Sequence, residues 1–161
     1  MVTVPDLELR LAARPENVAV VRHALGGLAE ALSLDEHVLA DIKLAVSEAC
    51  ANVVMHAYDE AEGPLEVTAS ATGDRLTVIV RDRGKGISPR TDSPGLGVGL
   101  PLIATLTDTL ELRSGEEEAT EVWMTFVVGE GGGDGPFPGG EATAQGGAGA
   151  GEVSSGGAGL P

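Results

Sequence analysis

The sequence is poor in aromatic residues, with one Trp, one Tyr and two Phe among 161 residues. Leu, Val, Ile and Ala must therefore fill whatever core it builds. Cys50 is the only cysteine, so no intrachain disulfide can form. No apolar run approaches the roughly 20 residues of a membrane-spanning helix, and no signal peptide is visible. The expected location is the cytoplasm. Cations are scarce as well: 10 Lys and Arg stand against 25 Asp and Glu, for a formal charge of -15. Phosphate backbones need a basic face, so direct nucleic-acid binding is not expected, and an anionic membrane surface is disfavoured for the same reason. A nucleotide chelated by a divalent cation remains open, because that needs only local donors and the metal.

What is abundant is glycine, and it is concentrated at one end. From Gly129 onward little is apolar, and Glu130, Asp134, Glu141 and Glu152 stand there without a Lys or Arg. Such a segment cannot offset its ordering entropy, so residues 129–161 are expected to be a flexible tail. The folded unit is expected over residues 4–128, long enough for a real core.

Within that unit the periodicities alternate between strand and helix. Leu7, Leu9 and Leu11 alternate with Glu8 and Arg10, as in a half-buried strand. Pro15-Glu16 opens a helix whose apolar face is Val18, Val21, Leu25, Leu28 and Leu32; Gly26-Gly27 inside it points to close packing against a neighbour. Asp35 is placed to cap a second helix over about residues 36–56. Leu65, Val67 and Ala69, then Leu76, Val78 and Val80, flank the turn Thr72-Gly73-Asp74, a hairpin pattern. A short helix is expected at about 99–107, a strand near Leu110–Arg113, and a last strand from about Thr120 to Val128. The order β-α-α-β-β-α-β-β predicts an α+β protein: a two-layer sandwich with a mostly antiparallel sheet covered on one face by helices.

Three motifs stand out. In Glu48-Ala49-Cys50-Ala51-Asn52-Val53-Val54-Met55-His56, Glu and Asn lie four apart within an apolar helical run. At about 100° per residue, Ile42, Ala45, Val46, Ala49 and Val53 form one stripe, with Asn52 just beyond its edge and Glu48 further round. Polar groups there need a cap, a water or a ligand, unless they belong to a solvated edge. Asp82-Arg83-Gly84-Lys85-Gly86-Ile87 begins where a strand ends, either as an ordinary Asp-Gly turn or as an acceptor aimed off the sheet. Gly95-Leu96-Gly97-Val98-Gly99-Leu100 precedes a helix. It is either a flexible loop or a phosphate cradle, and it lacks the Gly-Lys-Ser/Thr of a Walker loop.

The ordered set of helical E-x-x-x-N, D-x-G-x-G-I after a strand, G-x-G-x-G-L opening a helix and Thr120 on a final strand resembles the GHKL, or Bergerat-type, ATP-binding fold of histidine kinases. The small size and the phrase VSEACANVVMHAY resemble the RsbW-type anti-sigma factor serine kinases of bacterial partner switching. The resemblance implies ATP and Mg²⁺ as ligands. It implies Asn52 on the metal, Glu48 as general base and Asp82 as acceptor of the adenine amino group. Gly84, Gly86 and Ile87 would lie beside the base and ribose, Gly95, Gly97, Gly99 and Leu100 around the phosphates, and Thr120 at the adenine. The family often has Gly-Thr at that last position, where this chain has Ala119-Thr120. The partners implied are a STAS-type anti-anti-sigma protein, phosphorylated on serine, an alternative sigma factor, and a second copy of the chain packed through Leu7–Leu32. The same fold also serves as an interaction module with little or no kinase activity, and as an ATP-driven clamp. His56 is expected as a packing residue hydrogen-bonded within the helix layer, Cys50 as buried filler, and Trp123 in core or edge packing. Lys85 and Arg90 are the basic residues of the lid region, each expected to be exposed to solvent, with contact to the γ-phosphate as the alternative.

Overall fold

The alternating apolar stretches become five strands of one antiparallel sheet: β1 (Leu7–Ala12), β2 (Pro64–Thr72), β3 (Arg75–Asp82), β4 (Thr109–Ser114) and β5 (Thr120–Val127), in the spatial order β1-β2-β3-β5-β4. This computed structural model describes residues 5–59, 61–85, 96–115 and 118–129. Three helices, α1 (Pro15–Ala31), α2 (Glu36–Asn52) and α3 (Leu96–Leu106), pack on one face of the sheet. The α+β two-layer architecture expected from the sequence is therefore the one found.

Period two decides which side chains meet the helices. Leu65, Val67 and Ala69 of β2, Leu76, Val78 and Val80 of β3, and Val122, Met124 and Phe126 of β5 are all buried. They pack against Val21 and Leu25 of α1, Ile42, Ala45, Val46 and Ala49 of α2, and Ile103 of α3. The β2–β3 hairpin turns through Gly73-Asp74, with Gly73 at φ 60, a conformation that favours glycine.

The face away from the helices is polar. Arg81 lies between Glu66 and Glu121, at 3.8 and 3.6 Å. Trp123 is on this face, out of phase with Val122 and Met124, rather than in the core. Its Nε1–H donates to Glu121 at 2.8 Å, and the Arg113 guanidinium lies 3.9 Å from its ring centre.

Local chemistry sets the helix ends. Asp35 accepts from the His37 N–H at 2.8 Å, the N-cap expected for α2. After α1, Ser33 takes φ 53, and Leu34 N–H and Ser33 N–H close back onto Ala29 and Glu30 carbonyls at 2.9 and 3.1 Å. That pairing is a Schellman end with serine in the usual glycine position. A Cβ on Gly26 would stand 3.2 Å from Lys43 Nζ, the tip of a flexible side chain that can give way, and Gly27 has nothing within 4 Å, so the expected close packing does not require the pair.

The largest local departure is at the end of α2. The pattern reads as uninterrupted helix to residue 56, but α2 stops at Asn52 and a π-helical turn occupies Val53–Ala57. Tyr58 then leaves in an extended conformation. Contacts from residues 83–85, far off in sequence, surround this turn. Such turns recur where a helix must re-aim side chains at a functional site.

Candidate nucleotide site

Asn52 closes the core-facing stripe of α2. It is more deeply placed than the rim expected from the helical spacing, at 3 % exposure, and its Nδ2 has no hydrogen-bond acceptor among the described residues. A buried amide donor left unpaired costs about 1–3 kcal/mol. The reason for its depth lies on α3. A Cβ at Gly99 would stand 3.0 Å from Asn52 Nδ2 and 3.2 Å from its Oδ1, so glycine is what lets the two helices meet around this amide. Glu48 sits one turn earlier, half-buried, and engages no side-chain hydrogen bond or ion pair among the described residues.

Asp82 ends the same buried row of β3 that starts with Leu76, and it is 2 % exposed. Leu65 of β2 and Thr120 of β5 are its direct partners across the sheet. One carboxylate oxygen accepts from the Gly84 N–H at 3.0 Å, an Asx-type turn. Burial pushes its carboxyl above the usual carboxylate range, and the Gly84 hydrogen bond offsets this only in part. No ion pair reaches it among the described residues. The fold thus holds a nearly unsolvated acceptor at the end of an apolar row.

Two further groups were not expected. A Cβ on Gly84 would collide with the Ala57 carbonyl, so Gly84 is required first by the π-helical turn. The Lys85 N–H donates to that same carbonyl at 2.9 Å, and the Lys85 ammonium pairs with Asp59. His56 Nε2 is buried without a hydrogen-bond partner among the described residues, which departs from the expectation of a ring hydrogen-bonded within the helix layer. No sequence signal marked either contact, because both join segments more than 25 positions apart or depend on the π-helical geometry.

α3 begins at Leu96, earlier than expected, so Gly97 and Gly99 fall in its first turns. The first amide N–H groups of a helix have no acceptor within it. Leu100 packs against the core, Thr120 is half-buried, and Ala119, standing where the family often has glycine, is buried with its carbonyl accepting from Gly115 N–H at 2.7 Å. Gly86, Ile87, Arg90 and Gly95 lie outside the described residues. Cys50 is fully buried, and burial pushes its thiol up to about 12, so it is filler and not a nucleophile.

Asn52 and Gly99 therefore meet at one end of the helix–sheet interface, Asp82 faces Thr120 across the sheet, and Gly84 joins Asp82 to the turn that follows Asn52. The donor set fits a nucleotide with a hard metal. An orphan amide N–H calls for an acceptor, and a carboxamide oxygen suits Mg²⁺, which keeps waters and shares its ligands with phosphates. Among the described residues no cluster of three or more His, Cys, Asp or Glu could hold a metal alone.

Comparison with known proteins identifies the family of the fold. The profile of the histidine kinase-like ATPase domain matches residues 11–126. The serine-protein kinase RsbW of Bacillus velezensis is 37% identical over 128 residues, covering 70% of this chain and 80% of that protein. The serine-protein kinase RsbW of Bacillus mycoides is 31% identical over 137 residues, covering 76% and 84%. Among solved structures, the RsbU and RsbW domains of a Mycobacterium tuberculosis protein superpose with a TM-score of 0.58 at 25% identity, covering 76% of this chain and 33% of that one. A blue-light activated histidine kinase domain from Erythrobacter litoralis shares the fold, with a TM-score of 0.50 at 20% identity, covering 71% and 60%. The chain belongs to the histidine kinase-like ATPase family. Within it, the chain falls in the RsbW-type group of anti-sigma factor serine kinases.

Proposed function

We propose that this chain binds Mg·ATP at the Asn52–Asp82 end of its helix–sheet interface and phosphorylates a serine of a STAS-type anti-anti-sigma protein, so regulating an alternative sigma factor that it also binds. The observation that carries the reading is the pair of buried, incompletely satisfied polar groups, Asn52 and Asp82, at the ends of two otherwise apolar rows.

Bound Mg·ATP would supply the transferable phosphoryl group together with a cation that neutralises phosphate charge. Asn52 is the residue to hold the metal. Asp82 is the acceptor for the adenine amino group, with Thr120 opposite it to help fix the base. Gly84, Gly86 and Ile87 follow Asp82 and border the base and ribose. Gly95, Gly97, Gly99 and Leu100 bring the amide groups at the start of α3 toward the phosphates. Glu48, on the same helix as Asn52 and free of protein partners among the described residues, orients the incoming serine hydroxyl and takes its proton. A homodimer through β1 and α1 fits Val20, which is 45% exposed on α1. The setting is the cytoplasm, and residues 4–128 form the kinase unit.

Incubation with radiolabelled ATP and the STAS-domain proteins of the same genome tests the reading. The expected outcome is transfer to a serine of one of them. Tight ATP binding with no transfer to any of them would reject the kinase and leave a nucleotide-binding interaction module.

A further inference from the structure

Tyr58 is the residue that leads out of the π-helical turn, and its side chain touches two other segments, at Gly63-Pro64 and at Arg83. Its hydroxyl donates to the Pro64 carbonyl at the start of β2, at 2.6 Å, and accepts from the Arg83 N–H at 2.9 Å. Its ring lies so close to Gly63 that a Cβ there would overlap it. Arg83 is the residue directly after Asp82. One hydroxyl therefore fixes the backbone at the exit of β3 with respect to both the neighbouring strand and the chain that continues from Asn52. A phenylalanine of the same shape would keep the ring on Gly63 and lose both hydrogen bonds.

The contacts around it make this a hinge point with one arrangement. The Ala57 carbonyl accepts from Lys85 N–H, Gly84 is pressed on that carbonyl, and Asp59 pairs with Lys85. Residues 57–59 and 83–85 are thus tied by backbone, side-chain and ionic contacts; the Tyr58 hydroxyl extends this tie to the backbone of β2, and the Arg83 guanidinium reaches Glu66 of β2 at 3.8 Å. The carboxylate of Asp82 depends on this arrangement, because among the described residues its one hydrogen bond comes from Gly84, inside the tied segment.

We infer that Tyr58 is a positioning residue for base recognition: its hydroxyl sets the backbone of Arg83 and Gly84, and through it the aim of the Asp82 carboxylate at the exocyclic amino group of adenine. The inference rests on the reading of Asp82 as the adenine acceptor. A positioning role of this kind acts on discrimination between bases, which a general loss of stability does not.

The test compares ATP with inosine triphosphate, whose base carries a carbonyl oxygen, an acceptor, where adenine has the exocyclic amino donor. Affinities for both are measured with Mg²⁺ by calorimetry on the full chain, for wild type, Tyr58→Phe, Gly63→Ala and Asp82→Asn. Loss of well-aimed hydrogen bonds of this kind corresponds to about three- to tenfold in affinity. The expected result is that Tyr58→Phe lowers the preference for ATP over inosine triphosphate by about that factor. Gly63→Ala, which keeps the hydroxyl but displaces the ring that carries it, lowers the preference in the same direction. An unchanged preference in Tyr58→Phe overturns the inference, whether both affinities hold or both fall together. If Asp82→Asn keeps the wild-type preference, the adenine reading itself fails and the inference fails with it. If Asp82→Asn loses the preference and Tyr58→Phe keeps it, the adenine reading stands and Tyr58 is only a structural residue.

Discussion

The helix–sheet interface has two unlike ends. Toward the hairpin, β3 presents Leu76, Val78 and Val80 to the helices, and all three are buried apolar side chains. Two residues further along the same row is Asp82, as buried as they are and carrying a carboxylate. Helix α2 repeats the contrast: Ile42, Ala45, Val46 and Ala49 lead to Asn52, an amide whose N–H is unpaired among the described residues. The apolar end gains from burial, roughly 25 cal/mol for each Å² removed from water. The polar end gives some of that back through desolvation. Both polar residues stand at the same end of the layer, and both are adjoined by glycines that a larger side chain would disrupt. A fold that spends stability at one end only, around groups suited to a metal and a base, is organised for binding there.

The sharpest way to separate the two roles at the polar end is Glu48→Gln. Phosphate transfer is expected to fall by 10² or more, the scale of a lost general base, while Mg·ATP affinity stays at the wild-type value. Equal transfer rates in variant and wild type would remove Glu48 from the chemistry. At the apolar end, Leu76→Ala is expected to cost about 2–5 kcal/mol in denaturant unfolding, because it empties a fully buried site. A cost under about 1 kcal/mol would mean that this end is less tightly packed than its burial implies.

Asp82→Asn should move the two properties in opposite directions. The folded state holds the Asp82 carboxyl above its ordinary value, so the ionised form opposes folding. That cost is absent below the unfolded value, about 3.9, and grows as pH rises from there through the raised folded value. Asparagine can still accept from Gly84. The apo variant is therefore expected to melt higher than wild type at pH 7 and no higher near pH 3, while binding ATP more weakly. A melting difference that shrinks with rising pH would contradict the burial argument. Removal of residues 129–161 is expected to have the smallest effect, with melting temperature and ATP affinity both unchanged. A large drop on truncation would place part of the fold in the tail.

Much of the apolar end was legible in the sequence, and the polar end only in part. The helical spacing put Asn52 beside the α2 stripe, but Asp82 is read from the sequence as lying where the strand ends, in a turn or aimed off the sheet, whereas it is the last buried residue of the row of Leu76, Val78 and Val80. The hairpin and the Asp35 cap are local chemistry, so residue type was enough to find them. The π-helical turn was not legible, because Val53–Ala57 carries no local signal against continued helix and its neighbours come from residues 83–85. The functions of Gly84 and Gly99 were only half legible. Glycine announced close approach, but that the approaching groups are the Ala57 carbonyl and the Asn52 amide depends on how distant segments pack. Trp123 is expected from the sequence in core or edge packing, whereas strand phase puts it on the face away from the helices, where it meets Glu121 and Arg113.

The central claim is that the unpaired amide at the end of α2 is where a metal-bound nucleotide is held. Calorimetric titration of wild type and Asn52→Ala with ATP, in the presence and absence of Mg²⁺, addresses it directly. The account predicts that metal-dependent ATP binding disappears in Asn52→Ala while the apo melting temperature stays at or above that of wild type. Unchanged Mg·ATP affinity in the variant would contradict it.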